Sequence, residues 1–152
     1  MSQNRVRLAG AALFVSLVAL VGCGSSSPTA PTPVLATDTF TGTITTAGIQ
    51  AFPFTVNYTN SGTDASITLT KVTSVATGTD KAITLGVAFG QVSGATCTAS
   101  TSYTNSAATL NAELPTSGGV FGPGVYCVQV FDNPAASTVN EPINFTIIVK
   151  HY

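Results

Sequence analysis

The chain has 152 residues, of which only 7% are charged; its formal net charge is −1 and it contains no tryptophan. About 25% charged residues is usual for a globular chain, so the surface must be clothed largely by threonine, serine, asparagine and glycine. Five basic residues with no cluster among them exclude the phosphate-binding footprint of a nucleic-acid-binding protein.

From the amino end, Arg5 and Arg7 precede an uncharged, apolar run over residues 8–21, and the run closes on Leu20-Val21-Gly22-Cys23. Its 14 residues fall short of the roughly 20 that a helix needs to cross about 30 Å of hydrocarbon. Residues 1–22 therefore read as a signal that is cut off rather than as a membrane span. The positive start, the apolar run, the small Gly22 and the cysteine resemble a bacterial lipoprotein signal. That resemblance implies a diacylglycerol on the Cys23 thiol and a fatty acyl group such as palmitate on the new amino terminus. One acyl chain holds a protein to a bilayer only marginally, whereas two or more hold it stably. The expected location is the bacterial cell envelope. Gly24 stands where an aspartate would signal inner-membrane retention, which favours the outer membrane.

Residues 23–37 carry the candidate lipid site and then a stretch rich in serine, threonine and proline. Pro28, Pro31 and Pro33 favour an extended path of about 3.1 Å per residue, as expected of a linker. Residues 38–152 are one domain's worth of chain. Beyond the signal, three lysines (Lys71, Lys81, Lys150) face six acids, a net charge of −3.

In this domain the hydrophobic period is two throughout, and no helical stripe occurs. Phe40, Gly42 and Ile44 alternate with threonines, and Phe52, Phe54, Val56 and Tyr58 alternate with Pro53, Thr55 and Asn57. Because proline cannot donate to a ladder, Pro53 predicts an edge strand or a bulge. Ile67 and Leu69 continue the pattern with Ser66, Thr68 and Thr70 outside; Ile83, Leu85, Val87 and Phe89 form a fourth strand. The segment around Cys97 is weaker. Leu110, Ala112 and Leu114 suggest a sixth strand, residues 125–131 a seventh that is apolar on both faces, and Ile143, Phe145, Ile147 and Val149 the last. Turn residues separate them, notably 60–62, 77–80, 117–119, 122–124 and 132–134. About eight such strands predict an all-β fold, an antiparallel β-sandwich.

With Cys23 given to the lipid, Cys97 and Cys127 remain, and in an oxidising compartment a disulfide between them is expected. Two cysteines and one distant histidine do not make a zinc ligand set. No cofactor or metal is expected.

Phe52-Pro53-Phe54-Thr55-Val56, the strand Pro123-Gly124-Val125-Tyr126-Cys127-Val128, and Phe145-Thr146-Ile147-Ile148-Val149 together resemble the bacterial pre-peptidase C-terminal domain over about residues 37–152. The resemblance implies a jelly-roll-like sandwich that is usually a non-catalytic appendage of exported enzymes, with some members binding collagen or other polymers. Some of those also hold calcium. Here Asp132-Asn133 offers too few oxygens for that ion and reads as turn residues.

The inventory for catalysis is thin: His151 is the only histidine, expected either to share a face with Phe145, Ile147 and Val149 or to fray into solvent. The acids are scattered, and there is no Gly-x-Ser-x-Gly elbow or phosphate loop. The expectation is a non-enzymatic, lipid-tethered structural or protein-interaction module. The alternative is a carbohydrate- or polymer-binding module using exposed aromatics, with Tyr58, Tyr103, Phe121 and Tyr152 as candidates against ordinary core or rim packing. Low charge predicts contacts with little salt dependence, made through residues 118–124 or 135–141. Expected partners are thus the membrane, through Cys23, and an envelope protein or an extracellular polymer.

Overall fold

The computed structural model describes residues 33–57, 65–115, 122–133, 135 and 137–152. Every regular element in it is a strand: β1 Ala36–Ile44, β2 Ile49–Val56, β3 Ala65–Ser74, β4 Leu85–Ser93, β5 Thr96–Ala108, β6 Glu113–Pro115, β7 Gly124–Phe131 and β8 Ile143–His151. They form two four-stranded sheets, ordered β1-β8-β3-β6 and β2-β7-β4-β5, in which all neighbours are antiparallel. The first strand pairs with the eighth, the second with the seventh, the third with the sixth and the fourth with the fifth. That nested pairing, wrapped over two sheets, is the jelly roll.

Alternation decides which side of each strand is buried. In β8, Ile143, Phe145, Ile147, Val149 and His151 point inward while Asn144, Thr146, Ile148 and Lys150 point outward. From the second sheet Phe54, Val56, Leu85, Val87, Phe89, Tyr126, Val128 and Val130 meet them. Aromatic rings link the two sheets, Phe40 stacking on Phe52 at 5.1 Å and Phe52 meeting Phe145 edge-on at 6.0 Å, while Phe89 stacks on Tyr126 at 5.3 Å within the second sheet. Burying each such side chain contributes about 1.5–3 kcal/mol, so this layer outweighs any single polar contact in the domain. Pro53 lies in β2, which is an edge strand with β7 on one side only, so its missing N–H removes no ladder bond.

The sixth strand differs from the sequence expectation. Leu110 is exposed and Asn111 has a left-handed φ of 62°, with the Ala112 N–H donating to the Thr109 carbonyl. The chain turns there, and only Glu113–Pro115 pairs with β3.

The second sheet is pinned by β5. β4 passes into β5 through Gly94 and Ala95, and Gly94 has the positive φ of 61° that the first position of a type II′ hairpin requires. The pairing then slips: Gly90 faces Ala99 while Ala88 faces Thr104, leaving residues 100–103 as a bulge. The start of β5 folds across β4 towards β7, where Cys97 and Cys127 are joined in a disulfide with Cα atoms 6.0 Å apart. Gln129 Nε2 donates to the Cys97 carbonyl at 2.9 Å and holds the same crossing. Gly90 lies beneath it, and a Cβ there would stand 2.2 Å from the Thr98 carbonyl oxygen.

Candidate binding surface

The groups that could carry chemistry are mostly used in holding the sandwich together. His151 is buried on the inner face of β8, alongside Phe145, Ile147 and Val149. Its Nε2 lies 3.0 Å from Asp38 Oδ2 on β1, and its ring packs 5.2 Å from Phe54. Because a carboxylate only accepts, Nε2 is the protonated nitrogen; Nδ1 is buried without a hydrogen-bond partner. The pair closes one end of the core.

Asp132 does comparable work elsewhere. The sequence places it in a turn, but the side chain is only 3% exposed. Its Oδ2 accepts from the Ala47 N–H at 2.9 Å and from Ser137 Oγ at 2.6 Å, tying the β1–β2 turn to the segment before β8. Ala47 has φ 57°, a left-handed conformation that alanine adopts only when its surroundings hold it there. The Asp132 carboxylate is that hold.

Glu141 fastens the end of β3. It pairs with Lys81 and accepts from Ser74 Oγ at 2.9 Å. The Lys81 hydrogen bond first, and the Ser74 bond second, keep its carboxyl below the ordinary carboxylate range despite some opposing desolvation. A depressed folded-state pKa means that Glu141 contributes stability above its unfolded pKa, about 4.5, and loses it as pH falls through the lower, folded value. Carbon NMR should therefore give Glu141 a midpoint below the ordinary value of about 4.5, and Lys81→Met should move it upward. A Glu141 midpoint unmoved by Lys81→Met would refute this assignment.

Among the expected aromatic contacts, Tyr103 belongs to the packing: its half-buried ring meets Phe89 edge-on at 6.0 Å. Tyr152 is half-buried, and its carbonyl accepts from the Asn57 N–H at 2.7 Å. The structure does not bring these two together as a platform. Tyr58 and Phe121 lie outside the described residues, as do Cys23 and most of 118–124. Over 135–141 the loop is pinned: Val139 is buried, its carbonyl accepts from Thr46 Oγ1 at 2.9 Å, and Thr138 Oγ1 donates to the Thr84 carbonyl at 3.2 Å.

A different surface gathers polar side chains, the outer face of β1-β8-β3. Thr37, Thr39, Thr41 and Thr43 line the outside of β1. Register places Thr41, Thr146 and Lys71 in one row across the three strands, and Thr43, Asn144 and Thr73 in the next. Thr43 Oγ1 donates to Asn144 Oδ1 at 2.7 Å, which leaves the Asn144 amide nitrogen as that side chain's donor. These side chains line a shallow trough of about 350 Å³.

A bulge puts the lysine there. Leu69 pairs with Ile147 and Lys71 with Thr146, so Thr70 is an extra residue. Without it, strict alternation from Leu69 would aim Lys71 into the core and Val72 outward. With it, Lys71 is exposed, Val72 is buried, and the phase of the strand is reversed beyond this point. Bulges commonly re-aim a side chain in this way beside functional sites. The sequence does carry a signal, since the inward apolar residues Leu69 and Val72 are three apart rather than two.

No family model matches the chain, and no curated protein matches it.

Proposed function

We propose that this protein is a non-catalytic lipoprotein of the bacterial cell envelope, tethered through Cys23 and working as a structural or protein-interaction module. The observation that carries the non-catalytic reading is the employment of its titratable groups. His151 with Asp38, Asp132 with Ala47 and Ser137, and Glu141 with Lys81 and Ser74 each join separate strands or loops and do not converge on one cleft. A general acid or base has to share a site with a substrate and a partner group. The pre-peptidase C-terminal resemblance implies the same non-catalytic role, the signal pattern at residues 1–23 supports the tether, and Gly24 after the cysteine favours an outer-membrane location.

A second reading, a module that binds a carbohydrate or another polymer at the cell surface, is favoured by the hydroxyl-lined trough. Its polar groups suit a hydroxylated partner better than the separated Tyr103 and Tyr152 do.

Expression in a bacterial host with radiolabelled palmitate tests the tether. Wild type should be labelled, and Cys23→Ser should be unlabelled and retain its signal. Unlabelled wild-type protein would sink the lipoprotein assignment. In parallel, peptide, ester and glycoside substrates should show no turnover; turnover abolished by changing any one Asp or Glu would overturn the non-enzymatic reading.

A further inference from the structure

We infer that the trough on the outer face of β1-β8-β3 is a subsite for a carboxylate-bearing sugar, a uronate unit of an acidic polysaccharide. This rests on the polymer-binding reading and names its ligand class. Two features of the trough select the chemistry. The first is a single cation: Lys71 forms no ion pair among the described residues, and the bulge at Thr70 turns it out of the core and into the row with Thr41 and Thr146. One ammonium matches one negative charge, as on a carboxylate. A phosphate dianion is ordinarily held by an arginine fork, a helix N-terminus or a nest of backbone N–H groups. Arg5 and Arg7 are the only arginines, both within the signal, and no helix occurs among the described residues.

The second feature is the company Lys71 keeps. Thr41 and Thr146 offer hydroxyls that both donate and accept, and Asn144 offers an amide nitrogen oriented by Thr43. Adjacent strands are about 4.8 Å apart and alternate residues along a strand about 6.8 Å apart. The result is a grid of exchangeable donors and acceptors on the scale of a pyranose ring. A ring laid across the strands can place its carboxylate at Lys71 and its hydroxyls over Thr146 and Thr41. Such a site needs no aromatic platform, consistent with a chain that lacks tryptophan.

The test titrates the full chain, purified in detergent, with tetragalacturonate, its fully methyl-esterified counterpart and a tetraglutamate peptide. Tetragalacturonate should bind saturably, at least tenfold more tightly than either of the others. Lys71→Met should weaken it ten- to a hundredfold, and Thr146→Val several-fold, with melting temperature unchanged in both. Lys150→Met, on the same face but outside the trough, should bind as wild type. Rising salt should weaken binding with the shallow slope of one ion pair. No saturable binding, equal binding of the methyl ester, or wild-type affinity in Lys71→Met would each overturn the inference. Equal binding of tetraglutamate would replace the sugar by an acidic peptide and overturn it too. Equal binding of the methyl ester would leave the polymer-binding reading standing without its uronate, so failure of this inference is distinguishable from failure of that reading.

Discussion

Gly90→Val should leave the second sheet unable to close. The Gly90 backbone is not left-handed, so the requirement is one of space: the first added carbon would lie 2.2 Å from the Thr98 carbonyl oxygen and 2.9 Å from the Ala99 Cα. Both are backbone atoms, and neither can swing aside as a flexible side chain would. Nor can the strand withdraw, because Cys97 is bonded to Cys127 and its carbonyl is held by Gln129. Overpacking of a core typically costs about 1–3 kcal/mol, and a clash against a pinned backbone should lie at or above the top of that range. For a domain of this size, about 3 kcal/mol corresponds to a fall in melting temperature on the order of 10 °C. Thermal unfolding followed by circular dichroism gives the answer. A Gly90→Val protein melting within about 2 °C of wild type would mean that β5 does not cross β4 at this point.

Removing the disulfide should be nearly as costly. The bridge closes a loop with a sequence separation of 30, and in the chain-entropy model its loss costs about 3–4 kcal/mol, again on the order of 10 °C. Mass spectrometry of unreduced protein should find a Cys97–Cys127 linked peptide, two mass units lighter than its reduced form. Reduction followed by alkylation, or the double change Cys97→Ala and Cys127→Ala, should then give the lower melting temperature. Gln129→Leu should cost little while the bridge is intact and more once it is gone, since the two fasten the same crossing. If fully alkylated protein melts as wild type does, the crossing is maintained by packing alone.

Much of this architecture is legible in the sequence because alternation is a direct imprint of a half-buried strand. Phe52, Phe54 and Val56, and Ile143, Phe145, Ile147 and Val149, show it plainly, and each set lies inward. Pro53 marks an edge for a reason that holds in any sheet. With Cys23 expected to carry lipid, Cys97 and Cys127 are the two cysteines left to pair, and the bridge joins them. β5 is harder: its thirteen residues are mostly threonine, serine, alanine and asparagine, with little apolar contrast between faces. Its position depends on a bulge, a disulfide and the missing side chain of Gly90, three facts that become one only in space.

The surface was the least legible. Aromatic type drew the sequence reading to Tyr103, whose ring the structure commits to Phe89. The trough is made of ordinary threonines, and its lysine is re-aimed by one inserted residue. Asp132 shows the same limit: an aspartate in an Asp-Asn-Pro segment reads as a solvent-facing turn residue, yet Ala47 and Ser137 arrive from distant parts of the chain to bury it. Between the two fates offered to His151, Asp38 and Phe54 decide for burial.

The nested strand pairing dictates an order of events for a chain made from its amino end. β4 and β5 are separated by two residues and can zip as soon as both exist, whereas Phe40 of β1 waits for Ile147 of β8. Closing such a wide loop has to precede any reward from the ladder it forms, and folds dominated by distant pairings accordingly take milliseconds to seconds to assemble. Until Ile143–His151 has been synthesised, the first sheet lacks the strand that lies between β1 and β3, and neither can be seated. The polypeptide therefore stays open along its first sheet during synthesis, and that sheet locks only when β8 arrives.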